Sequence, residues 1–215
     1  MGEPDSPLLE PHVIVSHTVA RFENVLEPGE ITLLLDAFCG ASDQFVTAGV
    51  SQGDPNVRRA KVLHNVQSVA PDFSLTLEAC MPLVQRLFPE VGPGWEPELQ
   101  ITVHEDGGFF GLHTDSASPD TARRLLTFVY YLAEEPAQFS GGELVIHDSP
   151  VNHPNVISPS CHIVYPVTNT LVFFRSSAWH EVRPVVCPST TFRHQRFTIN
   201  GWIKNSEMAN SEEGQ

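Results

Sequence analysis

The chain has 215 residues, 41% of them hydrophobic and 18% charged, which is enough apolar content for a buried core and too little charge for a wholly disordered chain. Its formal net charge is −14, with 12 Lys and Arg against 26 Asp and Glu. That balance argues against nucleic acid as a partner and disfavours anionic membrane surfaces, since both need clustered cations.

Residues 1–11 are rich in proline and acid and are expected to be a flexible N-terminal segment. They lack the basic and apolar regions of a signal peptide, and no stretch of the chain is apolar for long enough to span a membrane. Met1-Gly2 with Ser6 fits a short myristoylation pattern, but the segment around it is acidic and gives an acyl chain no electrostatic support. VIVSHTVARF (13–22) and QFVTAGV (44–50) read as added edge strands. Between them Ile31, Leu34, Leu35 and Phe38 recur at helical spacing after Pro28-Gly29, predicting a helix over 29–39. A second helix is predicted after Asp72, a candidate N-cap, with Leu77, Cys80, Val84, Leu87 and Phe88 on one face. Pro82 falls inside it and predicts a kink or a break.

From about residue 97 the pattern changes. LQITVHE, FFGLHTD, LLTFVYYL, ELVIHD, HIVYPV, TLVFF, WHEVRPVV and RFTINGWI are short β-rich runs separated by Gly, Pro, Asn, Asp and Ser. Helices first and strands later predict an α+β fold with helices packed on a β-sandwich. Residues 12–204 are expected to be a single domain, with helix-rich support over about 12–96 and the β core over about 97–204, followed by a disordered acidic tail, 205–215. The four cysteines (Cys39, Cys80, Cys161 and Cys187) form no CxxC pair and read as reduced thiols of a cytoplasmic protein.

His113-Thr114-Asp115 sets an imidazole and a carboxylate two residues apart, on one side of an extended backbone, and His180 opens a later β run. Two histidines and one carboxylate match the facial triad of non-haem Fe(II) oxygenases. Such a triad leaves three metal positions open for a chelating co-substrate and O2. The bland alternative is a turn histidine with a local Asp partner. Arg196 opens the alternating run RFTINGWI, where Thr198 and Asn200 share its face. A dicarboxylate co-substrate needs such a cation, and the guanidinium fork suits it. Arg193, in the turn TTFRHQ, is the competing arginine and reads as a solvated loop charge, as His194 does.

The order and spacing of FFGLHTD, TFVYYL, SGGELVIH, NTLVFF, WHEVRPV and RFTINGW resemble those of 2-oxoglutarate/Fe(II)-dependent dioxygenases, with the nearest likeness to the prolyl-4-hydroxylase-like branch. The resemblance implies a double-stranded β-helix (jelly-roll) with supporting helices packed on the major sheet. It implies Fe(II) held by His113, Asp115 and His180, with 2-oxoglutarate and O2 as co-substrates and ascorbate as a supporting reductant. Arg196 and Tyr131 match the residues that meet the far carboxylate of 2-oxoglutarate, with Thr198 and Asn200 beside them and Tyr130 facing the other way. Gly141-Gly142 matches a turn into the next strand, and Leu171, Phe173 and their neighbours match an apolar pocket wall. His104 and Phe110 stand where many relatives carry tyrosines, which leaves the substrate open.

The implied activity is hydroxylation of an unactivated C–H bond in a peptide side chain of the prolyl kind, in an amino acid or in another small molecule. A catalytically silent ligand-binding jelly-roll is the rival, and it has no need of the triad and Arg196 together. Trp179 and Trp202 read as core or pocket-wall aromatics. Arg58 and Arg59 read either as a solvated loop or as a cover over the site that contacts an anionic substrate group. His147, His153 and His162 read as loop or strand-end residues.

Overall fold

The computed structural model describes residues 12–15 (backbone), 18–48, 57–148 and 157–205. The myristoylation pattern, residues 1–11, His153 and all of the acidic tail beyond Asn205 lie outside them. In chain order the elements are β1 (His12–Val15), β2 (Val19–Glu23), α1 (Pro28–Gly40), β3 (Val46–Thr47), β4 (Arg58–Arg59), β5 (Lys61–Leu63), α2 (Phe73–Leu87), β6 (Trp95–His104), β7 (Phe109–His113), β8 (Arg124–Leu132), β9 (Ser140–Gly141), β10 (Leu144–His147), β11 (Cys161–Val164), β12 (Thr170–Arg175), β13 (His180–Val182), β14 (Val185–Val186) and β15 (Arg196–Asn205). Among the described residues, no helix is long and apolar enough to cross a membrane.

Two sheets face each other. The major sheet has the order β1-β2-β12-β8-β15-β6-β5-β3, and the minor sheet β11-β10-β13-β7-β4. Among the described residues every strand pairing in both is antiparallel, as a jelly-roll of hairpins requires. The two early segments expected at sheet edges do lie there: β1 closes one edge of the major sheet and β3 the other. Asn205 is the last residue of β15 and pairs with Trp95.

Period-two alternation sorts the side chains of the major sheet. Leu126, Phe128 and Tyr130 of β8, Leu171 and Phe173 of β12, and Phe197 and Ile199 of β15 face the helices. They join Leu35 and Phe38 of α1 and Phe73, Leu77 and Val84 of α2 in one apolar cluster. Tyr131, Val172 and Phe174 point the other way and meet Leu144, Ile146 and Val164 of the minor sheet. Leu171 and Phe173, expected to wall the pocket, therefore belong to the helix-side core. Of the neighbours included in that expectation, Phe174 does line the pocket.

The first helix begins with Pro28 at its first position, where a missing N–H costs nothing. The second begins after Asp72 as expected, but Asp72 makes no capping hydrogen bond through its side chain. It runs unbroken through Pro82 to Leu87. Packing of Phe73, Leu77, Cys80, Met81 and Val84 outweighs the lost backbone hydrogen bond.

Candidate active site

β7 ends on His113 and β13 begins on His180, and the antiparallel register pairs these two residues directly. Asp115 follows β7 by two residues, and its N–H donates to the Ser176 carbonyl at 2.8 Å. Each histidine Nε2 lies 3.4 Å from a different oxygen of the Asp115 carboxylate. All three ligand atoms fall within 4.8 Å of one another. Both Nδ1 atoms face backbone carbonyls, His113 at 2.7 Å from Gly111 and His180 at 2.9 Å from Ala178. An Nδ1–H donates there, which leaves the Nε2 lone pair aimed at the centre. Thr127 donates to Asp115 Oδ2 at 2.6 Å and fixes the carboxylate from behind.

Burial opposes charge on all three groups. It lowers the His113 pKa, with His180 adding to the effect. For Asp115 burial is outweighed by the facing imidazoles, which hold the carboxyl well below the usual carboxylate range. For His180 burial is again outweighed, here by Asp115, and the pKa rises. Two imidazole Nε2 atoms and one carboxylate thus converge on one point. A divalent cation fits that donor set, and two imidazoles with one carboxylate on one face suit Fe(II).

The triad opens into a cavity between the two sheets. Arg196 lies at its inner end, 1% exposed. Its Nε donates to the Gly142 carbonyl at 3.0 Å, and its Nη1 meets His104 Nδ1 at 3.1 Å. Since the guanidinium only donates, His104 carries its proton on Nε2, and that buried Nε2 has no partner. The Tyr131 hydroxyl is also buried without a hydrogen-bond partner, although its ring centroid lies 5.2 Å from the guanidinium carbon. Burial pushes the phenol up to about 12, so it stays a donor. Burial also works against the charge of Arg196, eased by Tyr131 and Glu143. A buried cation flanked by two unused donors fits a carboxylate, the group 2-oxoglutarate carries at its far end.

A family model described as the 2OG-Fe(II) oxygenase superfamily matches residues 99–204. A PKHD-type hydroxylase of Synechocystis sp. is 31% identical over 209 residues, which cover 95% of this chain and 69% of that protein. The chain belongs to the 2OG-Fe(II) oxygenase superfamily. A PKHD-type hydroxylase of Pseudomonas putida is 28% identical over 176 residues, 76% of this chain and 67% of the relative. Among solved structures, a Pseudomonas putida prolyl-4-hydroxylase aligns with TM-score 0.62 at 23% identity, covering 88% of this chain and 94% of that one. A prolyl hydroxylase from Trichoplax adhaerens, in complex with a hypoxia inducible factor peptide fragment, aligns with TM-score 0.66 at 18% identity, covering 93% and 89%. These two likenesses show the jelly-roll fold. The protein is a dioxygenase of the hydroxylase type, and the chemistry of its superfamily uses Fe(II), 2-oxoglutarate and O2.

Within this oxygenase one cavity gathers His113, Asp115, His180, Arg196, Tyr131, Thr198, Asn200, His104, Phe110 and Arg58. Trp179 is not among its lining residues. It directly precedes His180, so alternation turns it from the face that carries the triad. Trp202 lines the cavity in its stead, on the Arg196 face of β15. Arg193 lies at the surface, paired with Asp36 at 2.6 Å and Glu134 at 3.1 Å. His194 meets the same Glu134 at 3.3 Å, and His162 pairs with Asp148 at 3.2 Å. Sequence reasoning missed Thr127, Gln100 and Thr102, which also line the cavity. A period-two signal was present: Thr127 shares the Tyr131 face of β8, and Gln100 and Thr102 share the His104 face of β6.

Proposed function

We propose that the enzyme hydroxylates an unactivated C–H bond of a prolyl-like residue, in a peptide or as a free amino acid, with residues 12–204 working as one unit. His113, Asp115 and His180 hold Fe(II). Arg196 and Tyr131 hold the far carboxylate of 2-oxoglutarate, with Thr198 and Asn200 completing that wall. The observation that carries this reading is the buried Arg196, with two unpartnered donors beside it and the triad at the same cavity. Bound Fe(II) supplies the O2 chemistry that couples decarboxylation of 2-oxoglutarate to C–H oxidation.

The chain's own residues bind, orient and exclude water. Gly142 fixes the Arg196 fork, Thr127 fixes Asp115, and Phe110 and Phe174 pack against the His113 and His180 rings at centroid distances of 3.6 Å and 4.8 Å. The prolyl hydroxylases of similar fold, one of them solved with a peptide, support a peptide-type substrate. All four cysteines are free, which supports a reducing compartment such as the cytoplasm. The test is succinate release with Fe(II), 2-oxoglutarate and ascorbate, joined to a mass-spectrometric search for +16 products among peptides and amino acids (the mass of one oxygen). Absence of any metal-dependent succinate sinks the reading and favours a silent binding module.

A further inference from the structure

Arg58 stands where the inner cavity meets an outer recess, and it lines both. β4 sets it opposite Phe110 of β7, with the guanidinium carbon 4.6 Å from the ring centroid. Phe110 stacks in turn on His113 at 3.6 Å. The cation is therefore two ring contacts from a candidate iron ligand. Its Nε is buried with no hydrogen-bond partner, and no ion pair holds it among the described residues. Arg124, the other arginine of the recess, is spoken for: it pairs with Glu98 at 2.7 Å and packs on Trp202 at 3.4 Å.

Charge balance sharpens the contrast. With the metal and co-substrate bound, Fe(II), Asp115, the two carboxylates of 2-oxoglutarate and Arg196 are neutral in total. His104 adds no charge, since burial, Arg196 and Arg58 all oppose its protonation. Arg58 is then a surplus cation at the substrate side of the cavity, in a chain whose net charge is −14. Stacking on Phe110 accounts for the flat face of the guanidinium but leaves the buried Nε without an acceptor. A carboxylate is the group that satisfies both the fork and the charge.

We propose that Arg58 binds a carboxylate of the substrate, so that the substrate is an amino acid or peptide bearing an anionic group a few bonds from the C–H bond that is oxidised. The proposal rests on the oxygenase reading above and narrows its substrate class. The carboxylate has two possible sources, a free α-carboxylate or an acidic side chain beside the reacting residue. Both present the same chemistry to Arg58.

The experiment uses the full chain loaded with Fe(II) and 2-oxoglutarate. Binding is followed without oxygen by ligand-observed NMR, and turnover in air by the +16 product. One set of probes is the free protein amino acids, each beside its carboxamide. The other is proline-containing pentapeptide amides with Asp or Asn next to the proline. Binding and product should favour the acid member of a pair at least tenfold, and the set in which this occurs identifies the source. Arg58→Gln should erase the preference and Arg58→Lys should restore part of it, with 2-oxoglutarate affinity within about threefold of wild type. Arg59→Gln, on the exposed neighbour, should behave as wild type.

Equal binding of acids and amides overturns the proposal, and that comparison needs no variant to fold. So does a loss of 2-oxoglutarate affinity in Arg58→Gln with substrate affinity unchanged, since Arg58 would then serve the co-substrate. Failure of every acid probe to bind, while 2-oxoglutarate still binds, overturns it and leaves the oxygenase reading standing. Failure of 2-oxoglutarate itself to bind defeats that underlying reading instead.

Discussion

Asp115 shows how much a single side chain depends on the one behind it. Its carboxylate faces two imidazoles, and Thr127 donates to one oxygen from the far side. Removing the Thr127 hydroxyl frees the carboxylate to rotate. Loss of such a supporting bond typically weakens metal binding by about 10–100-fold. Thr127→Val is expected to weaken Mn(II) binding within that range while the fold persists, as titration calorimetry and circular dichroism would report. His113→Ala and His180→Ala each remove a proposed ligand and are expected to abolish Fe(II)-dependent succinate formation. Retained activity in either variant, with iron bound, removes that residue from the ligand set.

The two arginines near residue 195 separate on the same scale. Arg196 is buried against Gly142 and His104, whereas Arg193 is held at the surface by Asp36 and Glu134. Truncating one partner of a desolvated charge pair typically costs about 2–5 kcal/mol, against about 0–1 kcal/mol for an exposed ion pair. Arg196→Ala is expected to raise the KM for 2-oxoglutarate more than about thirtyfold, which is about 2 kcal/mol. Arg193→Ala should change it less than about fivefold. Tyr131→Phe should fall between, because it removes one neutral hydrogen bond worth about 0.5–1.5 kcal/mol. Steady-state kinetics on the three variants give the order, and a larger effect at Arg193 would reassign the carboxylate anchor.

The turn between β9 and β10 holds Gly142 at φ +71°, and a Cβ there would stand 2.6 Å from Arg196 Cδ. Gly142→Ala therefore strains the backbone and displaces Arg196 together, so it should both destabilise the protein and raise the 2-oxoglutarate KM. In α2, Pro82 is exposed yet sits inside the helix. It gives up a helix hydrogen bond with no buried side chain to compensate. Pro82→Ala is expected to stabilise the protein by about 1–3 kcal/mol in urea titration, since a helix-interior proline costs about 3 kcal/mol relative to alanine. No gain in stability would mean that the backbone shape Pro82 favours is itself needed for α2 to fit the sheet.

The same elements show what the sequence could reveal. The longer strands were legible because Gly, Pro and Asn separate them and their side chains alternate. The two-residue strands β3, β4, β9 and β14 are too short for any periodicity to register. Which face of β12 meets the cavity was hidden in the same way: TLVFF is apolar on both faces, and only the pairing of Phe174 with Thr127 across to β8 decides it. Trp179 is a different case. Its parity against His180 was readable, and applying it would have favoured Trp202. The candidate metal triad was legible since two of its members are two residues apart. The bonds that brace it from Thr127 and Ser176 join residues 12 and 49 positions apart and follow only from the fold.

At the scale of the whole molecule the two sides of the major sheet are unequally packed. Among the described residues the helix side carries most of the buried apolar side chains, whereas the cavity side holds a small cluster of seven. That small cluster includes Tyr131, whose buried hydroxyl lacks a partner, and adjoins the unpartnered Nε2 of His104 and Nε of Arg58. Such groups cost stability in the free protein, and a ligand that satisfies them returns it. Metal and 2-oxoglutarate should therefore act as folding ligands that clamp the minor sheet onto the major one. At a ligand concentration about 100 times Kd the gain is about 2.7 kcal/mol. For a chain of this size each kcal/mol is worth about 2–4 °C in Tm. Mn(II) with saturating 2-oxoglutarate is thus expected to raise Tm by about 5–11 °C over the metal-free protein. Arg196→Ala should keep the part due to Mn(II) alone and lose the increment from 2-oxoglutarate, because it removes the anchor and leaves the triad intact. Differential scanning fluorimetry with each ligand, singly and together, separates the two parts. An undiminished 2-oxoglutarate increment in Arg196→Ala would show that the co-substrate is held elsewhere in the cavity.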